Sequence, residues 1–298
     1  MTTAVAILVD GAIYASWLFL VALGLTLTFG VMKILNIAHG NFYAIGAYAA
    51  ASAVGAYVAA GWEPAGVYLA MAGAAIVAGL ILGYVLERGV LRFMYDREEI
   101  LILLVTYAVF LILDDVMLLI WGAGAYDAYQ PDVLLGTTTI ATLPYPNYDL
   151  SLVAVAGVVG GGLWWALSRT ERGKMLRAVI HDREMSTFLG IDVATVFTVT
   201  FSLGAVLGTI GGALTAPIIS VQPGIGAQVI VLAFAVVVIG GMGSILGALV
   251  GSVAAGFAHA AAVHLFPQGE LFVIYALMSL VLVMRPQGLF GQPPPRKI

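Results

Sequence analysis

A short polar stretch interrupts the first apolar region of the sequence. It contains two asparagines and a histidine around a glycine, followed by a tyrosine: Asn36, His39, Gly40, Asn41 and Tyr43. Amide and imidazole groups in apolar surroundings are costly unless they face a cavity or a partner. They can exchange hydrogen bonds with a polar solute, and Gly40 leaves the backbone within reach. We expect these residues to line a solute path; the alternative is that Asn36 only caps the next helix.

A second, glycine-rich interruption lies in the C-terminal half, where residues 240–244 read Gly-Gly-Met-Gly-Ser. Transporters often place the substrate path where interrupted helices of two repeats meet near the membrane midplane. We therefore expect Gly241, Gly243 and Ser244 to join the first polar stretch in lining the path, within an inverted repeat that contains broken helices. Close helix packing explains the same glycines equally well.

Segment 168–192 is charged, lacks proline and is rich in good helix formers. A short amphipathic helix over 172–190 would present three apolar side chains to a cytoplasmic partner: Met185, Phe188 and Leu189. Gly190 would end that helix in the left-handed conformation, and Asp192 would cap the next one. The alternative is a solvated loop whose positive charge only fixes orientation.

Several chemical functions are excluded by what the sequence lacks. Without cysteine there are no thiolate metal sites and no thiol catalysis. No Gly-x-x-x-x-Gly-Lys-Ser/Thr loop, His-Glu-x-x-His helix or Gly-x-Ser-x-Gly elbow occurs. The basic groups are interleaved with acids, which argues against nucleic-acid binding. We expect no catalytic residue, no metal site and no cofactor bound by this chain.

These residues must be positioned by elements that lie in lipid. Of the 298 residues 62% are hydrophobic and 9% are charged, whereas a soluble domain needs roughly a quarter of its residues charged. A helical crossing takes about 20 apolar residues, and continuous apolar runs exclude a transmembrane barrel. We predict one all-α membrane domain over 1–298, with eight or nine spans. The apolar segments are 5–30, 38–60, 65–86, 100–121, 150–167, 193–219, 226–240, 244–264 and 270–284.

Positive charge is confined to alternate connections between these segments. The Lys and Arg residues form four groups: Lys33; Arg88, Arg92 and Arg97; Arg169, Arg172, Lys174, Arg177 and Arg183; and Arg285, Arg296 and Lys297. An alternating path puts all four on one face, the cytoplasmic one, with the C-terminal tail 285–298 inside. The outer loop 122–149 reads as irregular or short-stranded. Two doubts affect the count, because 226–240 is short for a straight span and residues 36–40 could interrupt a crossing.

The stretch from Gly24 to Tyr48, GLTLTFGVMKILNIAHGNFYAIGAY, resembles the signature of Liv-type permeases, the membrane subunits of branched-chain amino acid ABC importers. Three further stretches are similar to the same family and follow in order: RGKMLRAV with LGID between 172 and 192, GGMGSILGALVG at 240–251, and MRPQGLFG at 284–291. The length and the early signature resemble the H-type subunit.

The resemblance implies a type II importer fold in the cytoplasmic membrane and four kinds of partner. These are membrane lipid, a second, M-type permease, two ATP-binding subunits that hold ATP-Mg, and an extracytoplasmic solute-binding protein that loop 122–149 could help to dock. ABC permeases carry a coupling loop Glu-Ala-Ala-x-x-x-Gly; Glu184 to Gly190 keeps this spacing but replaces both alanines. The implied coupling residues are Arg177, Asp182, Glu184, Met185, Phe188, Leu189 and Gly190.

The function that follows is import of branched-chain amino acids or a related solute, such as another amino acid, an amide, urea or a small aromatic acid. An ion-coupled secondary transporter is the alternative. Such a carrier usually has ionisable residues deep in its bundle, whereas here nearly all charges lie at the ends of the apolar segments.

Overall fold

Long apolar stretches form helices in this chain because lipid offers the backbone no other hydrogen-bond partners. The computed structural model describes residues 2–95, 97–128 and 130–291. This part of the chain contains twelve α-helices and one antiparallel hairpin. They are α1 (Thr2–Met32), α2 (His39–Ala59), α3 (Val67–Gly89), α4 (Glu99–Trp121), α5 (Gln130–Leu134), β1 (Thr137–Ile140), β2 (Leu143–Pro146), α6 (Asn147–Arg169), α7 (Glu171–His181), α8 (Arg183–Phe188), α9 (Val193–Thr215), α10 (Ile225–Gly240), α11 (Ile245–Leu265) and α12 (Glu270–Met284).

The predicted helical membrane bundle is confirmed. Seven described helices are long and apolar enough to cross a membrane: α1, α2, α3, α4, α6, α9 and α11. The shorter α10 and α12 have 16 and 15 residues, and α10 is about 24 Å long at a rise of 1.5 Å per residue. Each of the nine predicted apolar segments contains one helix, although α9 ends at Thr215, before the predicted limit of 219. The chain is therefore a multi-pass membrane protein.

Helices α1–α3 and α9–α11 make corresponding contacts around one antiparallel helix pair. Val21 of α1 lies against Gly211 of α9, and Thr28 lies against Gly204, so the two helices run antiparallel. They approach closely at Gly24, where a Cβ would lie 2.5 Å from the Gly204 carbonyl oxygen. Next to this crossing, α3 packs along α9, α11 packs along α1, and α2 contacts α10. Helices α1–α3 therefore correspond to α9–α11, and small residues permit the contacts, as is usual in lipid.

Charges are sorted between the two ends of the bundle. Lys33, Arg97 and Arg183, which come from three of the basic groups, line one cavity. At the opposite end His264 Nε2 lies 2.6 Å from Asp10 Oδ2. The basic groups of these three connections thus meet as the alternating path predicts. The predicted tail is described as far as Gly291, so Arg296 and Lys297 lie outside the described residues.

The predicted helix over 172–190 is two helices. α7 ends at His181, and Asp182, in an extended conformation, accepts a hydrogen bond from the Met185 amide at 2.9 Å and so begins α8. The short Asp side chain favours this capping arrangement over continuation of the helix. Gly190 is left-handed, with φ of 82°, and Asp192 caps α9, both as predicted.

Segment 122–149 contains two short strands, one of the two forms predicted for it. β1 pairs with β2 in a register that places Thr137 opposite Pro146. Farther along the bundle surface, the amide and carbonyl of Tyr126 both bond to Val221, each at 2.9 Å. These two hydrogen bonds connect segment 122–149 to the connection between α9 and α10.

Candidate functional site

The linker between α1 and α2 turns back into the bundle. Lys33 ends α1 in a left-handed conformation with φ of 57°. At the start of α2, His39 Nε2 lies 3.2 Å from the carbonyl oxygen of Val21, eleven positions before the last residue of α1, Met32. At 1.5 Å per residue this is about 16 Å from the end of α1. The polar stretch therefore interrupts a crossing and lies inside the bundle.

The first turn of α2 meets the first turn of α10. The carbonyl oxygen of Gly226 occupies the space where a Cβ on Gly40 would lie, and Asn41 Oδ1 occupies the corresponding space at Gly226. Position 40 therefore requires glycine, because backbone fills its space, whereas a side chain at 226 would displace Asn41. Helix N-termini carry partial positive charge, and here two of them converge from the two halves of the bundle.

The polar side chains of this junction bond partly to neighbouring helices. Asn41 Nδ2 donates to the carbonyl of Phe110 in α4 at 2.5 Å. The Tyr43 hydroxyl lies 2.5 Å from Thr215 Oγ1 and accepts from Trp17 Nε1 at 3.3 Å. These bonds connect the start of α2 to α1, α4 and α9.

Asn36 precedes α2 rather than occupying the N-cap position, which falls on Ala38. Its Oδ1 accepts a hydrogen bond from the Ala38 amide at 3.1 Å. The alternative that Asn36 is the N-cap of α2 is therefore wrong, and the bond to Ala38 accounts for only one of the two polar atoms of the Asn36 side chain.

Three buried polar atoms at the junction have no hydrogen-bond partner among the described residues: Asn36 Nδ2, His39 Nδ1 and Asn41 Oδ1. The exposed fractions of their side chains are 2%, 0% and 0%. An unsatisfied buried polar group costs about 1–3 kcal/mol. Their concentration on one short stretch indicates a place where a polar ligand would be stabilising.

The second glycine-rich interruption is a tight turn between α10 and α11. Gly241 and Gly243 have φ of 103° and 83°. The Ser244 hydroxyl accepts from the Gly247 amide at 3.0 Å and so caps α11. Because Gly243 packs against Gly30 near the end of α1, the turn lies at the basic end of the bundle.

This turn does not meet the polar stretch. α10 reaches Gly40 through Gly226, and residues 226–241 rise about 22 Å along the helix. The expectation that the two predicted interruptions come together is therefore wrong. The first interruption instead contacts the start of α10. The glycine at position 224, which is left-handed with φ of 83°, is the sequence feature that could have indicated a chain break there. A path-lining role for Gly241, Gly243 and Ser244 stays a prediction.

The predicted coupling residues fall in two places. An exposed apolar surface is formed by Met185, Phe188 and Leu189, which are 55%, 86% and 73% exposed. The same segment contains Asp182, Glu184 and Gly190. We call this group, from 182 to 190, the α8 surface. Arg177 lies apart on α7, where its Nη2 donates to the carbonyl of Ser168 at 3.1 Å.

Sequence reasoning missed one buried carboxylate. Glu87, in the last turn of α3, is 0% exposed and accepts hydrogen bonds from Tyr95 and Thr198. An acid beside Arg88 at a helix end is typical of a solvated interface charge. Its burial depends on Thr198, which is remote in the sequence, so no local pattern reveals it.

Comparisons with known proteins agree with this architecture. A family described as the permease component of the branched-chain amino acid transport system matches residues 7–283. The chain is 29% identical, over 98% of its length and 97% of the relative, to the high-affinity branched-chain amino acid transport system permease protein BraD of Pseudomonas aeruginosa. It is 28% identical to LivH of Escherichia coli K12, over 97% and 96% of the two chains.

A more distant similarity is to a probable branched-chain amino acid transport permease protein, LivH, of Methanocaldococcus jannaschii. The two are 27% identical over 95% of this chain and 92% of the relative. No solved structure matches the chain.

Proposed function

The chain belongs to the family of branched-chain amino acid transport system permease components, and we propose that it moves branched-chain amino acids or a closely related solute inward, powered by ATP hydrolysis on partner subunits. The observation that carries this proposal is the family match over nearly the whole chain. It supports an ABC importer permease over an ion-coupled secondary transporter. The chain itself is a permease subunit of a transporter complex.

The solute passes the junction between the first turns of α2 and α10. Helix N-termini favour the carboxylate of an amino acid. The unpartnered atoms of Asn36, His39 and Asn41 supply hydrogen bonds that the closed bundle leaves unmade. Because these side chains are buried, the path is closed here and opens when α2 and α10 separate.

ATP-binding subunits dock on the α8 surface. Its apolar side chains are exposed beyond a basic end, where lipid headgroups and water would otherwise surround them. Phe188 is 86% exposed and lies on a short helix whose two ends are fixed by local bonds, from Met185 to Asp182 at the start and from the Leu189 amide at the end. A partner groove that covers Phe188 and Leu189 would stabilise the complex by about 25 cal/mol for each Å² of apolar surface that it buries.

The remaining partners follow from the same assignment. A second permease completes the membrane domain, and two subunits bind ATP-Mg and hydrolyse ATP. A solute-binding protein docks on the outer loop, whose hairpin offers a fixed surface. The complex lies in the cytoplasmic membrane with the basic end and the C-terminus inside, as the charge distribution favours.

The test is uptake of radiolabelled leucine by proteoliposomes that contain the complete complex, ATP and the solute-binding protein. Asn36→Ala or Asn41→Ala should lower the uptake rate about tenfold, because a lost hydrogen bond to a charged group costs about 1.5–3 kcal/mol. Ser279→Ala is the control, since the Ser279 hydroxyl bonds the Tyr275 carbonyl of its own helix, α12, away from the path and the docking surfaces.

Two results would count against this function. Wild-type uptake in both path variants would remove the assignment of the path to the α2–α10 junction. Leucine accumulation by the chain alone under an ion gradient, without ATP-binding subunits, would establish the secondary transporter instead.

A further inference from the structure

Glu87 is a fully buried carboxylate at the basic end of the bundle. Tyr95 donates from its hydroxyl to Glu87 Oε1 at 2.5 Å, and Thr198 Oγ1 lies 2.7 Å from Oε2. Arg88 Nε lies 4.0 Å from Oε2. An ionisable residue inside a membrane bundle is expensive to bury and generally serves a function.

The carboxylate joins three separate elements. Glu87 belongs to α3, Tyr95 to the connection between α3 and α4, and Thr198 to α9. Burial, followed by the hydrogen bond to Glu87, raises the pKa of the Tyr95 hydroxyl. The hydroxyl therefore stays protonated and donates to the carboxylate at physiological pH.

The same cluster receives the first residue of α8. The Arg183 guanidinium carbon lies 6.0 Å from the centre of the Tyr95 ring and 5.4 Å from the centre of the Phe197 ring. The two rings meet edge to face, with centres 5.0 Å apart. A guanidinium within about 6 Å of an aromatic ring is attracted to it. α8 is thus held against the side chain that donates to Glu87 and against the neighbour of Thr198.

Beyond Glu87, the contacts continue towards the α2–α10 junction. α3 and α9 are packed without space for a Cβ at Gly79, which faces Val206 and Thr209. Thr209 donates to the Ala75 carbonyl of α3 at 2.8 Å. The other end of α9 carries Thr215, which bonds Tyr43 of α2. Helices α3 and α9 therefore form a rigid pair that ends at the proposed path.

The basic end also has room for movement. A cavity of about 360 Å³ lies between α7 and the α1–α2 linker, lined by residues that include Lys33, Ile34 and Ile180. Arg183 and Tyr95 border the same cavity. A shift of α8 can therefore displace Tyr95 and the linker without compressing packed side chains.

We propose that Glu87, held by Tyr95 and Thr198, is the positioning residue that transmits movement of α8 to the α3–α9 pair. This inference rests on the proposed function of the α8 surface as the docking site of an ATP-binding subunit. A buried carboxylate is otherwise weak evidence for stability, because apolar replacements of buried ion pairs are often neutral or stabilising. Its position between two hydroxyl donors fits a joint that must keep one geometry while its elements move together.

The test compares variants of two threonines that lie two positions apart in α9. Thr198→Val removes the donor to Glu87, and Thr198→Ser keeps it. Thr200→Val is the matched control, because the Thr200 hydroxyl bonds the Val196 carbonyl of its own helix. Leucine uptake and ATP hydrolysis are measured on the same proteoliposomes of the complete complex, and the quantity of interest is leucine carried per ATP hydrolysed.

We expect Thr198→Val and Tyr95→Phe to lower this ratio on the order of 3- to 10-fold, which lies within the roughly 2- to 30-fold effect of residues that modulate coupling between sites. Thr198→Ser and Thr200→Val should keep the wild-type ratio and basal ATP hydrolysis. An unchanged ratio in Thr198→Val and Tyr95→Phe would overturn the proposal. So would a parallel loss of uptake and hydrolysis with less assembled complex, since Glu87 would then serve only the fold.

A second measurement needs no transport. Hydrogen exchange of amides 183–190 in the complex should become faster in Thr198→Val than in Thr200→Val, because Glu87 loses one of the two hydroxyl donors that position it against Tyr95, on which Arg183 of α8 rests. Equal exchange in the two variants would also overturn the proposal. If the wild-type complex carried no leucine with ATP, the proposed function would fail, whereas exchange would still show separately whether Glu87 anchors α8.

Discussion

Replacing Gly226 by alanine tests whether α2 and α10 begin against each other inside the bundle. The added methyl group would overlap Asn41 Oδ1 and lie 3.0 Å from the carbonyl oxygen of Gly40. The Gly40 backbone cannot yield easily, because its own space is filled by the Gly226 carbonyl. The Asn41 side chain must therefore move, and its 2.5 Å bond to the Phe110 carbonyl breaks.

The size of the effect follows from these contacts. Enlarging a side chain in a packed site costs about 1–3 kcal/mol, and the lost hydrogen bond costs about 1 kcal/mol more. Alanine is favoured over glycine in a helix by at most about 1 kcal/mol. Gly226→Ala should therefore lower the free energy of unfolding by about 1–3 kcal/mol.

The assay is reversible unfolding of the purified chain in mixed micelles of mild detergent and dodecyl sulfate. Gly55→Ala is the control, because this glycine of α2 has nothing within 4 Å of an added Cβ, and its variant should be as stable as the wild type or more so. In Gly226→Ala/Asn41→Ala the methyl group gains the space of the removed amide. The double variant should lose about 1 kcal/mol less than the sum of the single variants.

Two results would refute this reasoning. Gly226→Ala could prove as stable as Gly55→Ala, or the effects of Gly226→Ala and Asn41→Ala could add. Either result would mean that the first turn of α10 does not contact Asn41. The α2–α10 junction, and with it the proposed path, would then be misplaced.

Three further predictions concern the basic end. Phe188→Glu should abolish co-purification of ATP-binding subunits, whereas Phe272→Glu, at a side chain 70% exposed on α12, should not; retention of the subunits by Phe188→Glu would contradict docking on α8. Ser244→Ala should lower the free energy of unfolding by about 1 kcal/mol through loss of the α11 cap, measured in the same micelles. Hydrogen bonds from Thr195 hold the pKa of the Asp192 carboxyl below its ordinary value. The Asp192 carboxylate therefore contributes its full stabilisation at pH values above the ordinary carboxyl pKa, and this contribution is lost as pH falls through the lowered pKa. The free energy of unfolding of Asp192→Asn should therefore fall less steeply at acid pH than that of the wild type.

Features that depend on a single segment and its surroundings were predictable. Nine apolar segments became nine helices because each must satisfy its backbone within itself in lipid. The left-handed Gly190 and the Asp192 cap were correct because these conformations are set by the residue and its nearest neighbours. The division of 172–190 at Asp182 had the same local origin, since that carboxylate caps α8.

The inward turn before α2 was foreseen only as a possibility. Asn36 and His39 are polar residues in an apolar region, and this pattern indicates an interruption without giving its depth. The contact between His39 Nε2 and the Val21 carbonyl shows how deep in the bundle the interruption lies. Val21 belongs to the preceding helix, and its position beside His39 follows from how α1, α2 and α9 pack together.

The sequence by itself determined the lipid environment, the helices, their caps and the charge asymmetry, because each of these depends on nearby residues or on the solvent of one segment. Tertiary structure alone decided that Gly40 meets Gly226 rather than Gly241, and that Glu87 is buried between Tyr95 and Thr198. The physical reason is that both contacts join segments remote in the chain, and close packing of whole helices, rather than any local preference, selects which ends come together.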